Sequence, residues 1–223
     1  MIHIEHFTFN SFQTRCCVIW DEDGCCAFVD PGCSCKEEFD KVISLVEKKG
    51  LKPVCIMLTH GHFDHILGVA DLSALYGGLP VYMHPEDRFT LENNEYFSRC
   101  FGAPLPKAFD TTDVTEGSIV EVGALRFEVL ETPGHTVGGV CYLERAEKVL
   151  ISGDTLFAGA IGRSDHPGGD YDVLIRNIFE KLLHLDGETK VIPGHGPETD
   201  IATERMTNPF LMPFNEPYED QQN

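Results

Sequence analysis

Nowhere does this chain of 223 residues hold an apolar run near the length of about 20 that a membrane-spanning helix needs; windows such as 54–58 are interrupted within a few residues. No membrane partner is expected. The first ten residues lack a basic start, a continuous apolar stretch and a small-residue cleavage site, so nothing reads as a secretory signal and the cytoplasm is the expected compartment. Basic residues are scarce: 17 Lys and Arg stand against 36 Asp and Glu, a formal net charge of −19. Proteins that bind nucleic acid rely on clustered cations to displace counterions, so nucleases and nucleic-acid binders are disfavoured. Close repeats are missing, and so is any linker rich in Gly, Ser or Pro.

The nine cysteines, an odd number, do not form a convincing disulfide framework. Cys16-Cys17 and Cys25-Cys26 lie in runs that read as strands, where neighbouring side chains point to opposite faces, so free thiols are expected. Cys33 and Cys35 form a C-x-C pair, which alone is weak support for structural zinc. Apolar content of 42% fits an ordinary globular protein, and the chain is long enough to bury one substantial core.

Alternating or apolar runs predict strands near residues 2–6, 16–20, 27–30, 53–58, 80–83, 118–122, 125–130, 140–143, 149–152 and 190–193. Apolar residues at helical spacing predict helices over 37–49, with Gly50 placed to end it, over 66–76, weakly over 85–101, over 171–185 and briefly over 201–206. Strands in both halves, with helices between and after them, fit two packed sheets with helices outside. A single domain over 1–207 is expected, with Pro209, Pro213 and Pro217 marking an irregular tail over 208–223.

The most informative feature is His60-Gly61-His62-Phe63-Asp64-His65, directly after the predicted strand 53–58. Imidazole and carboxylate are the donors that borderline divalent cations prefer. At this chain's own His and Asp frequencies, the spacing would arise in roughly one random chain per thousand. Farther on, Gly134-His135, Gly153-Asp154 and Gly194-His195 each place one such residue after a glycine at the end of a predicted strand. A glycine there lets backbone approach a crowded site. These seven candidate ligands exceed the needs of one tetrahedral ion, and two ions sharing a carboxylate account for the number.

In order and spacing these residues resemble the metallo-β-lactamase superfamily, over nearly the whole chain. The resemblance implies an α/β fold, a four-layered αβ/βα sandwich of the metallo-β-lactamase type. It also implies that His60, His62 and His135 bind a first divalent metal ion, that Asp64, His65 and His195 bind a second, and that Asp154 bridges them. Zinc is the expected metal, with iron or manganese as alternatives. Within the superfamily the chain is most similar to glyoxalase II (hydroxyacylglutathione hydrolase) and its shorter relatives. The similarity is carried by Asp30-Pro31-Gly32, by the run from Gly153-Asp154-Thr155 through Gly162-Arg163-Ser164-Asp165 to Gly169-Asp170, and by Gly194-His195-Gly196-Pro197-Glu198 with Asn208-Pro209-Phe210.

The implied activity is hydrolysis of a small-molecule thioester, S-lactoylglutathione or a related compound, with Asp64 and Asp154 as catalytic residues. A mononuclear-iron persulfide dioxygenase and a lactonase remain as alternatives, whereas a β-lactamase is disfavoured because Asp154 stands where those enzymes usually carry Cys or Ser. The family's glutathione-binding lysine and tyrosine are replaced by Arg163 and Asp165, and no helical C-terminal domain follows the last ligand. Arg163 is the candidate substrate-binding residue, with loop bracing as its plain alternative. Asp30 either supports a ligand or starts a turn, and His166 is open as a substrate contact. His3, His6, His84 and His184 read as packing or surface, and the oligomeric state is left open.

Overall fold

The computed structural model describes residues 1–212, so most of the expected tail, 213–223, lies outside the described residues. Among the described residues no helix is long and apolar enough to cross a membrane. The first sheet contains β1 (His3–Phe9), β2 (Thr14–Trp20), β3 (Cys25–Val29), β4 (Lys52–Met57), β5 (Val81–Met83) and β6 (Thr112–Asp113), side by side in that order. β1 to β3 pair antiparallel, and β3 to β6 run parallel. The second sheet contains β7 (Ile119–Val122), β8 (Leu125–Glu131), β9 (Val140–Glu144), β10 (Val149–Gly153), β13 (Lys190–Pro193) and β14 (Thr199–Asp200). Its order is β14-β13-β10-β9-β8-β7, with only β10 and β13 parallel. A two-residue hairpin, β11 (Leu156–Phe157) with β12 (Ala160–Ile161), follows β10.

The period of two along each strand sorts side chains into layers. Cys17, Ile19, Cys55 and Met57 of the first sheet meet Val120, Phe127, Val129, Tyr142 and Ile151 of the second. Their strand neighbours Cys16, Val18, Ile56 and Leu58 face outward onto Val42 and Val46 of α1 (Lys36–Lys49), Ile66 of α2 (Phe63–Ile66) and Leu72 of α3 (Val69–Leu75). On the far side Leu143, Leu150 and Val191 pack on Leu174 of α5 (Tyr171–Asn177), Ile178 and Leu182 of the π-helical turn that continues it, and Ile201 of α6 (Ile201–Thr207). The expected four-layered αβ/βα sandwich is therefore the observed one. Asn208 and Leu211 are also buried, the Asn208 amide donating to Ala160 O at 3.0 Å.

One helix departs from its expected bounds. The stretch expected as one helix over 66–76 is two, and the first begins three residues earlier, so Asp64 and His65 lie on a helical turn. The break falls at Gly68, whose N–H donates to Pro31 O at 2.8 Å; a Cβ there would press on that carbonyl and on Cys33. Helix α4 (Arg88–Phe101), entered through a 3-10 turn at Pro85–Asp87, lies across α2 and closes one side of the site.

Candidate metal centre

Strands β3, β4, β8, β10 and β13 end at one rim of the sandwich, followed respectively by Asp30, His60 and His62, His135, Asp154 and His195. Short bonds lock the two sheets there: Val140 N–H donates to Thr59 O at 2.9 Å, and the buried Tyr142 hydroxyl donates to Leu58 O at 2.9 Å. Close approach demands glycine at Gly194, where a Cβ would collide with Asp154 Oδ1 and lie 2.8 Å from His65 Cε1. Gly153 has φ of 48°, a left-handed conformation, and a Cβ there would collide with the Thr59 side chain.

All seven expected donors are brought together. His60, His62 and His135 offer ring nitrogens within 4.8 Å of one another, and a carboxylate oxygen of Asp64 lies within the same distance of ring nitrogens of His65 and His195, themselves as close. The Asp154 carboxylate reaches both groups: Oδ2 lies 3.6 Å from His135 Nε2 and 3.4 Å from His195 Nε2, and Oδ1 lies 3.6 Å from His65 Nε2. Across the centre His62 Nδ1 and His135 Nε2 are 3.0 Å apart, and His65 Nε2 and His195 Nε2 are 3.2 Å apart. Ligand atoms at about 2.0–2.1 Å from a tetrahedral ion are separated by about 3.3 Å, so these spacings suit cation-sharing donors.

Four of the rings are held by their far nitrogen. His60 Nδ1 donates to Thr59 Oγ1 at 3.0 Å, His135 Nδ1 to Arg163 O at 2.7 Å, His195 Nδ1 to Phe12 O at 3.1 Å and His65 Nδ1 to Asp30 Oδ2 at 3.1 Å. Each anchor turns an Nε2 lone pair toward the centre, the usual way outer partners orient metal-binding imidazoles. The Nε2 atoms of His65 and His195, facing each other across 3.2 Å, meet favourably only across a shared proton or a cation. His60 Nε2 and Asp154 Oδ1 are buried without any hydrogen-bond partner, a costly state unless a cation meets them. The donor set therefore fits divalent cations.

The electrostatics agree. Burial, followed by neighbouring rings, holds His60 and His62 well below the usual imidazole range, and burial also lowers His135; all three are neutral lone-pair donors near pH 7. Burial pulls His65 down as well, but the carboxylates of Asp64, Asp154 and Asp30 prevail and raise it to about 10. His195 is raised by Asp154 against its burial. Burial would push Asp154 up, yet the adjoining His65 and His195 rings keep it well below the ordinary carboxylate range. The pocket thus draws positive charge to its Asp64–Asp154 side.

Asp30 has the geometry of a supporting residue. It sits at φ of 46°, its Oδ1 accepts the Thr59 N–H at 2.8 Å, and its Oδ2 accepts from the Thr59 hydroxyl and His65, so its oxygens are engaged although it lies near His60 and His65. Thr14 donates its hydroxyl to Asp64 Oδ2 at 2.6 Å.

Two further residues brace the donor loops without any sequence pattern to mark them. Asp87 is completely buried; its carboxylate accepts from the N–H of Gly61, of Gly138 at 3.1 Å and from the Thr90 hydroxyl at 2.9 Å, tying the His60-Gly61-His62 loop to the His135 loop. Arg15 donates its N–H to Gly194 O at 2.7 Å and its guanidinium to Gly196 O and Glu198 (3.2 Å), bracketing His195 on both sides. Asp87 follows a proline at a helix start and looks like a cap; Arg15 sits in an apolar strand. Neither belongs to a pattern.

Arg163 lines the cavity, but its guanidinium is engaged twice by Asp165, at 2.9 and 3.1 Å, while its carbonyl holds His135. His166 stands over the first donor group, its ring 5.1 Å from those of His62 and His135, and its buried Nε2 has no partner. His3 stacks on Trp20, His6 lies 3.6 Å from Glu198, and His84 bonds Glu131 at 2.9 Å, and none of the three belongs to a donor group.

Comparison with known proteins bears on this site. The family model described as the metallo-beta-lactamase superfamily matches residues 10–195. A protein named hydroxyacylglutathione hydrolase GloC, from Haemophilus influenzae, is 37% identical over 94% of this chain and 98% of its own length. Among solved structures, that of BLEG-1 B3 metallo-beta-lactamase superposes with a TM-score of 0.86 at 35% identity, covering 94% of this chain and 99% of that one. That of TTHA1623 in a di-iron-bound form has a TM-score of 0.81 at 37% identity, covering 93% and 100%.

Proposed function

The chain belongs to the metallo-β-lactamase superfamily, and from that premise we propose that it is a hydrolase of small-molecule thioesters working with two divalent cations. The observation that carries this reading is the pair of three-donor groups spanned by one carboxylate. In the proposal His60, His62 and His135 hold the first cation, Asp64, His65 and His195 the second, and Asp154 both. Zinc is the proposed metal, since nitrogen and carboxylate donors suit it; iron and manganese accept the same donors, and one similar solved structure is described as di-iron-bound.

Divalent cations held by these residues would supply Lewis acidity, lowering the pKa of a bound water toward about 7 and polarising a carbonyl. The protein's own residues do the orienting. Asp64, fixed by the Thr14 hydroxyl, is proposed to align the attacking water from the His195 side. Asp154 holds the two donor groups at one separation. Thiols have pKa near 8.5, so a thiolate leaves without a strong proton donor. Arg163 is the proposed contact for a substrate carboxylate, which would share the guanidinium with Asp165. The thioester reading draws further support from the name of the 37% identical relative.

The test is metal quantification on the purified protein, followed by turnover of S-lactoylglutathione, other thioesters, a lactone, a β-lactam and, with oxygen, a persulfide. Hydrolysis of a thioester, lost in His60→Ala and Asp154→Ala, is expected. Thioesterase activity surviving Asp154→Ala would refute the mechanism. One iron per chain with oxygen uptake on the persulfide would replace the reading with a dioxygenase, and preferred turnover of the β-lactam or lactone would move the substrate class.

A further inference from the structure

The cavity beside the metal centre encloses about 400 Å³, and one side of it is aromatic: Phe12, Phe63, Tyr96, Phe97 and Phe101. Phe12 meets Phe63 edge to face at 5.0 Å and Phe101 at 5.4 Å, and Phe97 stands edge-on to His62 at 5.1 Å. Phe63 and Phe97 are buried and have an ordinary packing role, gluing α4 to α2. Tyr96 and Phe101 pack on Phe97 and on Phe12 with one edge only and remain 56% and 55% exposed at the cavity lip. Apolar surface left in water around a concave site marks where an apolar ligand group lies. The remaining lining includes the polar Arg163, Asp165 and His166, the last edge-on to Phe97 at 5.8 Å.

The wall begins where a scissile carbonyl would have to sit. Phe63 immediately precedes Asp64, and the Phe12 carbonyl accepts the His195 Nδ1–H at 3.1 Å. Phe12, Phe63 and Phe101 line the same cavity as Asp64 and His195, so an acyl chain leaving a carbonyl held between those two has this surface within reach. A lactoyl group would offer this surface a single methyl.

We propose that the aromatic wall binds an extended apolar acyl group, so that the preferred substrates are thioesters of medium-chain or aryl acids and not of short hydroxy acids. This rests on the thioester reading above, and its test separates the two.

Acyl thioesters of one thiol, N-acetylcysteamine, from acetyl to octanoyl, are compared as substrates of the metal-loaded protein. Equilibrium binding of the matching carboxylates, acetate to octanoate, is measured in parallel. Full burial of a methylene corresponds to about fourfold in affinity, so a gain of about two- to fourfold per methylene is expected in kcat/KM and in 1/Kd. Phe101→Ala and Tyr96→Ala, at exposed positions where folding is safe, should flatten both slopes while metal content stays at the wild-type value. If thioesters are turned over but neither quantity depends on chain length, the wall has no such role and the proposal falls. If carboxylate binding rises with chain length and no thioester is hydrolysed, the wall stands and the thioester reading falls. Slopes unchanged in both variants would also overturn the proposal.

Discussion

Replacing Asp87 by Asn tests whether the metal centre depends on a residue that touches none of its donors. The swap keeps the shape of the side chain but turns one acceptor oxygen into an N–H2 group. That group must face either the Gly61 N–H or the Gly138 N–H and Thr90 hydroxyl, leaving at least one buried donor unpaired. An unsatisfied buried donor costs about 1–3 kcal/mol. Against this, burial pushes the Asp87 carboxyl above its ordinary range despite its hydrogen bonds, so removing the charge returns part of the loss. A net cost of about 2 kcal/mol follows, which in a chain of this size lowers Tm by about 4–8 °C. The loops carrying His60, His62 and His135 loosen together, and loss of a supporting partner typically weakens metal binding by about 10–100-fold. Circular dichroism melts of the chelator-treated protein read the first effect, and competition with a chromophoric chelator reads the second. If Asp87→Asn melted within about 1 °C of wild type and bound metal equally well, the account of these loops would be wrong.

Gly194→Ala places a methyl against Asp154 Oδ1 and His65, so loss of at least one bound metal and of hydrolysis is expected, while the far-ultraviolet spectrum stays native; full metal content would show that the rim has slack. At the opposite end of the sandwich the Asp21 carboxylate accepts from the N–H of Ala124 at 2.8 Å, Cys25 at 2.9 Å and Asp23 at 3.0 Å. Burial would raise its pKa, but these donors lower it, so its stabilisation is present above the ordinary carboxylate range and is lost as pH falls through the lowered value. Asp21→Asn should thus be less stable than wild type by about 1.5–3 kcal/mol near neutral pH. The gap should close below about pH 4, and urea melts showing a gap that does not depend on pH would contradict this.

The donor residues were legible because their signal is local. Four of them fall within six residues, and the other three each follow a glycine at a strand end, where residue type and position are both restrictive. The layered fold was legible for a similar reason, since apolar strand runs recur in both halves with amphipathic helices between them, and β2 sends Cys17 and Ile19 between the sheets and Cys16 and Val18 to the helices. What escaped notice acts between distant segments. Asp87 serves loops 26 and 51 residues away, and Arg15 reaches Glu198 across 183 residues. No periodicity or spacing encodes such partnerships. The early start of α2 was missed because Phe63-Asp64-His65 reads as part of a ligand loop, and the pairs β6, β11, β12 and β14 are two residues long, too short for any pattern. Only its bonds to Thr59 and His65 distinguish Asp30 as a support for a ligand from a residue that starts a turn.

Metal stoichiometry of the wild-type protein beside His62→Ala and His195→Ala, by inductively coupled plasma mass spectrometry after loading with zinc and gel filtration, tests the central claim most directly. Two ions per chain in wild type and one in each variant are predicted, because each substitution empties one three-donor group and leaves the other. A wild-type value of one, or variants that still hold two, would contradict the existence of two donor groups joined through Asp154.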